Sequence, residues 1–109
     1  MPRGITITFC TCPDQESANR IAQALVEREL AACVNILPAV SSVYQWQGQV
    51  ETSSEALLLI KTAANRYPDL EQAIRALHPY ELPEIVTVPV QDGLQPYLDW
   101  VEQCTYKSV

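Results

Sequence analysis

Apolar and polar residues alternate over positions 4–11 (GITITFCT), with Ile5, Ile7 and Phe9 on one side and Thr6, Thr8 and Cys10 on the other. That period of two predicts a β-strand. Pro13 and Asp14 punctuate it. Asp14 is a good N-cap, and Glu16 falls in a first helical turn, where negative charge is favoured. Ala18, Ile21, Ala22, Leu25 and Val26 then recur at helical spacing. Glu29 would fall inside that stripe, so the helix is expected to stop near it, without a glycine cap. Residues 30–47 open as LAACVNIL, break at Pro38 and continue as SSVYQWQ, with β-branched and aromatic residues at strand spacing. Gly48, between Gln47 and Gln49, reads as a hairpin tip, and the returning arm runs to Thr62. An arm of about 13 residues would span roughly 43 Å at ~3.3 Å per residue. A chain of 109 residues folds to about 30 Å across, so part of this ribbon must project or bend.

The stretch Ala56-Leu57-Leu58-Leu59-Ile60 does not alternate. A strand apolar on both sides needs cover on both faces. The chain's own helices can supply one layer, and a neighbouring subunit is expected to supply the other. Asn65 to Leu77 predicts a second helix with Tyr67, Leu70, Ile74 and Leu77 on one side and Pro68 in its first turn. His78-Pro79 ends it, because the residue before proline disfavours helical geometry. Residues 84–90 predict a fourth strand, with Pro89 at an edge or strand end. Asp92-Gly93 turns the chain into a last helix, Leu94 to Cys104, with Tyr97, Trp100, Val101 and Cys104 on one stripe. The order β-α-β-β-α-β plus a terminal helix predicts an α+β, ferredoxin-like antiparallel sheet in one domain, 1–109. That fold hosts many functions, so function must come from a site.

Composition narrows the classes. Apolar residues make up 48% of the chain and charged residues 18%, a globular balance. Thirteen acids against seven bases give a net charge of −6, which argues against nucleic-acid binding. No apolar run reaches the ~20 residues of a membrane span. Strand-like sequence follows Met1-Pro2-Arg3-Gly4 at once, so no secretory signal is read and a cytoplasmic address is expected. In a reducing compartment Cys10, Cys12, Cys33 and Cys104 are expected as thiols.

Three groups of residues could carry chemistry. Cys10 and Cys12, two apart on a strand end, point the same way, and a thiolate pair suits Cu(I) or another thiophilic ion. Small free cysteines also fill space beneath helices, and Cys33 and Cys104 are read as such packing residues. His78 is the only histidine. It could ligate a metal, transfer a proton, or cap a helix end. Glu81 and Glu84 flank Leu82-Pro83 and could act with His78 in acid–base work or hold a hard cation. Tyr44, Trp46 and Tyr80 could line a cleft, and Trp46 near a ribbon tip needs cover from a ligand or a subunit. Gly-rich phosphate loops, G-x-S-x-G and HExxH motifs are absent from the sequence.

Taken together, Thr11-Cys12-Pro13-Asp14, Leu30-Ala31-Ala32-Cys33-Val34-Asn35-Ile36, Ser42-Val43-Tyr44-Gln45-Trp46-Gln47-Gly48, Lys61-Thr62, His78-Pro79-Tyr80-Glu81-Leu82-Pro83-Glu84-Ile85 and Tyr97-Leu98-Asp99-Trp100 resemble the CutA divalent-cation tolerance family. The resemblance implies a homotrimer, similar in architecture to the PII signalling proteins, with ligand sites in clefts between subunits. It implies a non-enzymatic role in the response to metal ions, with copper or another divalent cation as the cofactor. Cys10 stands where copper-binding members carry a cysteine, and His78 matches the histidine of their HPY motif. Some members carry a second histidine where this chain has Leu77. The expected metal ligands are therefore Cys10, Cys12 and His78. The expected cleft residues are Trp46, Tyr80, Glu81 and Glu84. Two rival readings are a scaffold trimer without a metal and an acid–base enzyme using His78.

Overall fold

Helix capping sets the first boundaries. In the computed structural model, which describes residues 4–107, strand β1 (Ile5–Cys12) leads into helix α1 (Gln15–Glu27). The Asp14 carboxylate accepts from the Ser17 N–H at 2.8 Å, the N-cap the sequence predicts. At the other end Glu29 takes a left-handed φ of 59°. The Leu30 N–H then donates to the Leu25 carbonyl and the Glu29 N–H to that of Val26, a Schellman closure made without glycine.

Strands β2 (Cys33–Trp46) and β3 (Gln49–Ala63) form the long ribbon. Gln47 and Gly48 both have positive φ, 51° and 79°, as a two-residue type I′ turn requires. The ribbon gives the chain a long axis of 43 Å against 26 and 24 Å. Its surface of 6791 Å² exceeds the ~6,100 Å² of a compact chain of this size. The ribbon therefore projects. Pro38 does not end β2. One extra residue is accommodated between the Leu37–Leu57 and Val40–Glu55 pairs, with Ala39 at a φ of 56°. This β-bulge bends the ribbon.

A short 3₁₀ turn, Ala64–Arg66, precedes α2 (Tyr67–Leu77), so the regular helix starts after the expected Asn65. Strand β4 is Val86–Pro89, shorter than the expected 84–90, and helix α3 is Gln95–Thr105. The sheet order is β2-β3-β1-β4, antiparallel throughout, the expected ferredoxin-like arrangement.

Register assigns the two faces. Thr8, Cys10 and Cys12 lie opposite Ile60, Leu58 and Ala56, and all six are buried. They join Ile21, Leu25, Leu70 and Ile74 beneath α1 and α2. The small, polar-looking side of β1 thus faces the helices, because Thr and Cys let helices approach closely. The Thr8 hydroxyl is satisfied by Thr87 at 2.9 Å. Ile7 and Phe9 lie on the second face, in rows with Val88 and Val86 on one side and Lys61 and Leu59 on the other. Helix α3 packs against β3 and β1, and the Ala63 N–H donates to Thr105 Oγ1 at 2.9 Å. Ile5 and Ala63, the row nearest α3, are buried, whereas Leu37, Val86 and Val88 remain exposed. Cys33 is not a core residue as expected. Its register with Lys61 puts it half-buried on the second face, close to Tyr97 of α3.

Candidate metal centre

The i, i+2 spacing of Cys10 and Cys12 sends both thiols to the helix side of the sheet. Helix α2 runs towards the same end of β1. Pro79 forces His78 out of helical geometry, to φ −76° and ψ 137°, while the His78 N–H still donates to the Ile74 carbonyl at 2.8 Å. This delivers the imidazole to the strand. One ligating atom from each of Cys10, Cys12 and His78 lies within 4.8 Å of the others, and all three residues are buried.

The hydrogen bonds fix the ring's tautomer. The Tyr80 N–H donates to His78 Nδ1 at 3.0 Å, so Nδ1 carries a lone pair. The proton therefore sits on Nε2, 2.7 Å from the Thr11 carbonyl oxygen, to which it donates. The sequence reading included a helix-capping histidine, and His78 is the C-cap of α2. Its ring, however, clamps β1 rather than capping α2.

The thiols differ from one another. The Cys10 thiol points to the Thr11 carbonyl oxygen at 3.9 Å, and its pairing with the neighbouring Cys12 thiol, followed by burial, pushes Cys10 up. The same pairing pulls Cys12 down, against its own burial. Glu55 raises both thiols and Glu84 raises Cys10 further. A site whose carboxylates disfavour thiolates is one in which an arriving cation is favoured, since it relieves both repulsions at once.

The comparisons with known proteins bear on the same residues. The family model for the CutA1 divalent ion tolerance protein matches residues 6–104. The chain belongs to the CutA1 divalent ion tolerance family. The CutA protein of mouse is 45% identical over 105 residues, covering 96% of this chain and 59% of the mouse protein. This chain thus spans about three-fifths of its mammalian CutA relatives. The Thermus thermophilus CutA1 structure is 48% identical, with a TM-score of 0.91 over 93% of this chain and 98% of that one. The Oryza sativa CutA1 structure is 36% identical, with a TM-score of 0.93 over 98% of each chain.

Within this CutA1 chain the four expected cleft residues separate. Tyr80 joins the thiol end: its ring centroid lies 4.9 Å from that of His78, and its hydroxyl donates to Glu55 Oε2 at 3.0 Å. Glu84 acts on Cys10 through its charge, but both it and Glu81 are exposed. Trp46, 49% exposed, pairs with Gln49 at the ribbon tip. That is six residues along β2 from Val40, the partner of Glu55, roughly 20 Å away. One chain does not bring Trp46 to the thiols. Two participants escaped the sequence reading. Thr11 contributes only its backbone carbonyl, which no side-chain pattern reports. Glu55 stands as a lone acid immediately before an apolar run, and that interruption was the available signal.

Two thiols and an imidazole form a soft donor set that fits a thiophilic ion. The thiol pair is available as it stands. The imidazole is not, because ligation through either nitrogen gives up the Thr11 or the Tyr80 hydrogen bond.

Proposed function

We propose that this CutA1 chain is a non-enzymatic metal-tolerance protein that holds one thiophilic ion, Cu(I) foremost, between Cys10 and Cys12, with His78 completing or bracing the site. The observation that carries this reading is the convergence of the two sulfurs and the imidazole within 4.8 Å, all three residues buried, in a member of the divalent ion tolerance family. Soft thiolates select Cu(I) over hard divalent ions. When bound, the metal would supply a positive charge that neutralises the thiolates. The protein's part is to pre-align the sulfurs on one strand and to exclude water with α1 and α2.

We propose further that the protein works as a homotrimer. The second face of the sheet supports this. Leu57 pairs with Leu37, Leu59 lies in a row with Phe9 and Val86, and Ile7 and Val88 continue the apolar surface in the next row, beside Lys61. The projecting ribbon carries Val43, Tyr44, Trp46 and Val50 exposed as well. Surfaces of this extent mark association sites. A ribbon from one copy covering the open face of the next gives a head-to-tail contact that can close into a ring. In such a ring Trp46 of one copy can reach a cleft that its own Tyr80 does not share.

The experiment is a titration of reduced protein with Cu(I) against a competing chelator. One ion per chain is expected, lost in Cys10→Ser and in Cys12→Ser. Unchanged uptake by both variants contradicts the site. The rival reading of an acid–base enzyme finds little support in the geometry. Both ring nitrogens of His78 are engaged with backbone groups, and Glu81 and Glu84 are exposed. The scaffold reading is favoured by one observation, the structural clamp that His78 makes on Thr11. The same titration separates it, since a scaffold retains no ion.

A further inference from the structure

Glu55 is a carboxylate only 8% exposed. Its side-chain hydrogen bond, among the described residues, is to a neutral phenol, the Tyr80 hydroxyl at 3.0 Å. Burying a carboxylate without a cationic partner is costly, so a residue kept there is held for what it does to its neighbours.

Glu55 sits beside an irregular point of the ribbon, the bulge in the facing strand β2. Glu55 pairs with Val40, the first pair after the bulge, where Ala39 adopts a left-handed φ. Bulges re-aim side chains and concentrate beside functional sites. On the other side, Tyr80 lies in the segment between α2 and β4, where residues 78–85 form no strand or helix. Such a segment lacks ladder hydrogen bonds, so side-chain anchors decide its position. Tyr80 carries both ends of the connection. Its hydroxyl is held by Glu55, and its backbone N–H holds His78 Nδ1 at 3.0 Å. The ring of His78 in turn donates to Thr11, which lies between the two cysteines.

We infer that Glu55 is a positioning residue for the thiol–imidazole centre, acting through Tyr80 to lock the ring orientation and tautomer of His78. The chain of contacts runs from ribbon strand β3 to loop to imidazole to β1. It couples the projecting ribbon, and whatever covers it, to the centre. An ionised acceptor makes the phenol hydrogen bond stronger than a neutral one does. Outer-shell partners of this kind orient metal-binding histidines. The inference rests on the metal-site reading for its purpose, but its geometry stands without a metal.

The test uses the full chain, metal-free first. In wild-type protein, ¹⁵N NMR of His78 is expected to give one tautomer, with the proton on Nε2. Glu55→Ala and Tyr80→Phe are each expected to lose that single-tautomer pattern. Glu55→Gln, whose amide oxygen can still accept, is expected to keep it. Tyr80→Phe removes one hydroxyl and retains the ring on His78, so it decides the matter if Glu55→Ala does not fold. Combining Tyr80→Phe with Glu55→Ala is expected to add nothing to either alone. A wild-type pattern in both Glu55→Ala and Tyr80→Phe overturns the inference. With Cu(I), the two disruptive variants are expected to bind about 10- to 100-fold more weakly, with rescue in Glu55→Gln. If wild-type protein takes up no Cu(I), the metal reading fails and the NMR result alone judges Glu55.

Discussion

The Nε2 atom of His78 lies 2.7 Å from the carbonyl oxygen of Thr11, joining residues 67 positions apart in sequence. This bond places the end of α2 against the end of β1 and brings the imidazole beside two thiols. It also predicts a stability role independent of any metal. His78→Ala removes the acceptor of the Tyr80 N–H and leaves the Thr11 carbonyl only the long 3.9 Å contact from the Cys10 thiol. An unmet polar group of this kind costs about 1–3 kcal/mol. Denaturant unfolding of metal-free protein is expected to show a loss of that size, and an unchanged midpoint contradicts the clamp.

The exposed second face predicts a different outcome for charge. Leu59 is half-buried there, in one row with Phe9 and Asn35. Leu59→Arg leaves the helix-side core untouched and places a charge where a neighbouring copy would pack. Sedimentation is expected to show smaller species for this variant than for wild type, with retained far-ultraviolet dichroism. Equal assemblies in both proteins contradict the use of this face.

At the ribbon tip Gly48 has a φ of 79° and no atoms near where a Cβ would stand. The cost of Gly48→Ala is therefore conformational and not steric, about 1 kcal/mol. Gln47 shares the left-handed geometry, and asparagine tolerates it better. Gln47→Asn is expected to raise the unfolding midpoint, and Gly48→Ala to lower it.

Thr6 and Thr62 face each other across β1 and β3, and both hydroxyls are buried without a hydrogen-bond partner among the described residues. Replacing one by the isosteric valine removes an unmet polar group without opening a cavity. Thr62→Val is expected to be neutral or stabilising by up to about 1 kcal/mol. A clear destabilisation contradicts the assignment of that hydroxyl as unpaired.

The Ser17 N–H holds the Asp14 carboxyl below its ordinary range. A carboxyl lowered in the folded state stabilises above its unfolded pKa, about 3.9, and loses that contribution as pH falls through the lower folded value. Asp14→Asn keeps an acceptor at the N-cap without the charge. Its unfolding midpoint is expected to fall less steeply with acid than that of wild type.

Much of this fold was legible because periodicity and punctuation agree. Alternation marked β1, Asp14 marked α1, and Gly48 marked the tip. The non-alternating run at Ala56–Ile60 announced a strand needing cover on both sides, and the open face now shows Leu57 and Leu59 on its second side. Other features lie beyond a linear pattern. Glu29 closes α1 in a left-handed conformation that glycine usually supplies, and Pro38 is absorbed by a bulge instead of ending a strand. The cluster was legible in its thiols and histidine, whose spacing and flanking proline are sequence features. The Thr11 carbonyl and the Tyr80–Glu55 contact were not, since they arise only when α2, β1 and β3 meet. Trp46 was grouped with Tyr80 by residue type, and the length of the ribbon separates them.

Copper K-edge absorption of the reduced protein loaded with one Cu(I) per chain reads the donor atoms themselves. A first shell dominated by sulfur, converted to nitrogen or oxygen or lost in the Cys10→Ser, Cys12→Ser double variant, is the predicted result. A wild-type shell of nitrogen and oxygen alone contradicts the thiol centre.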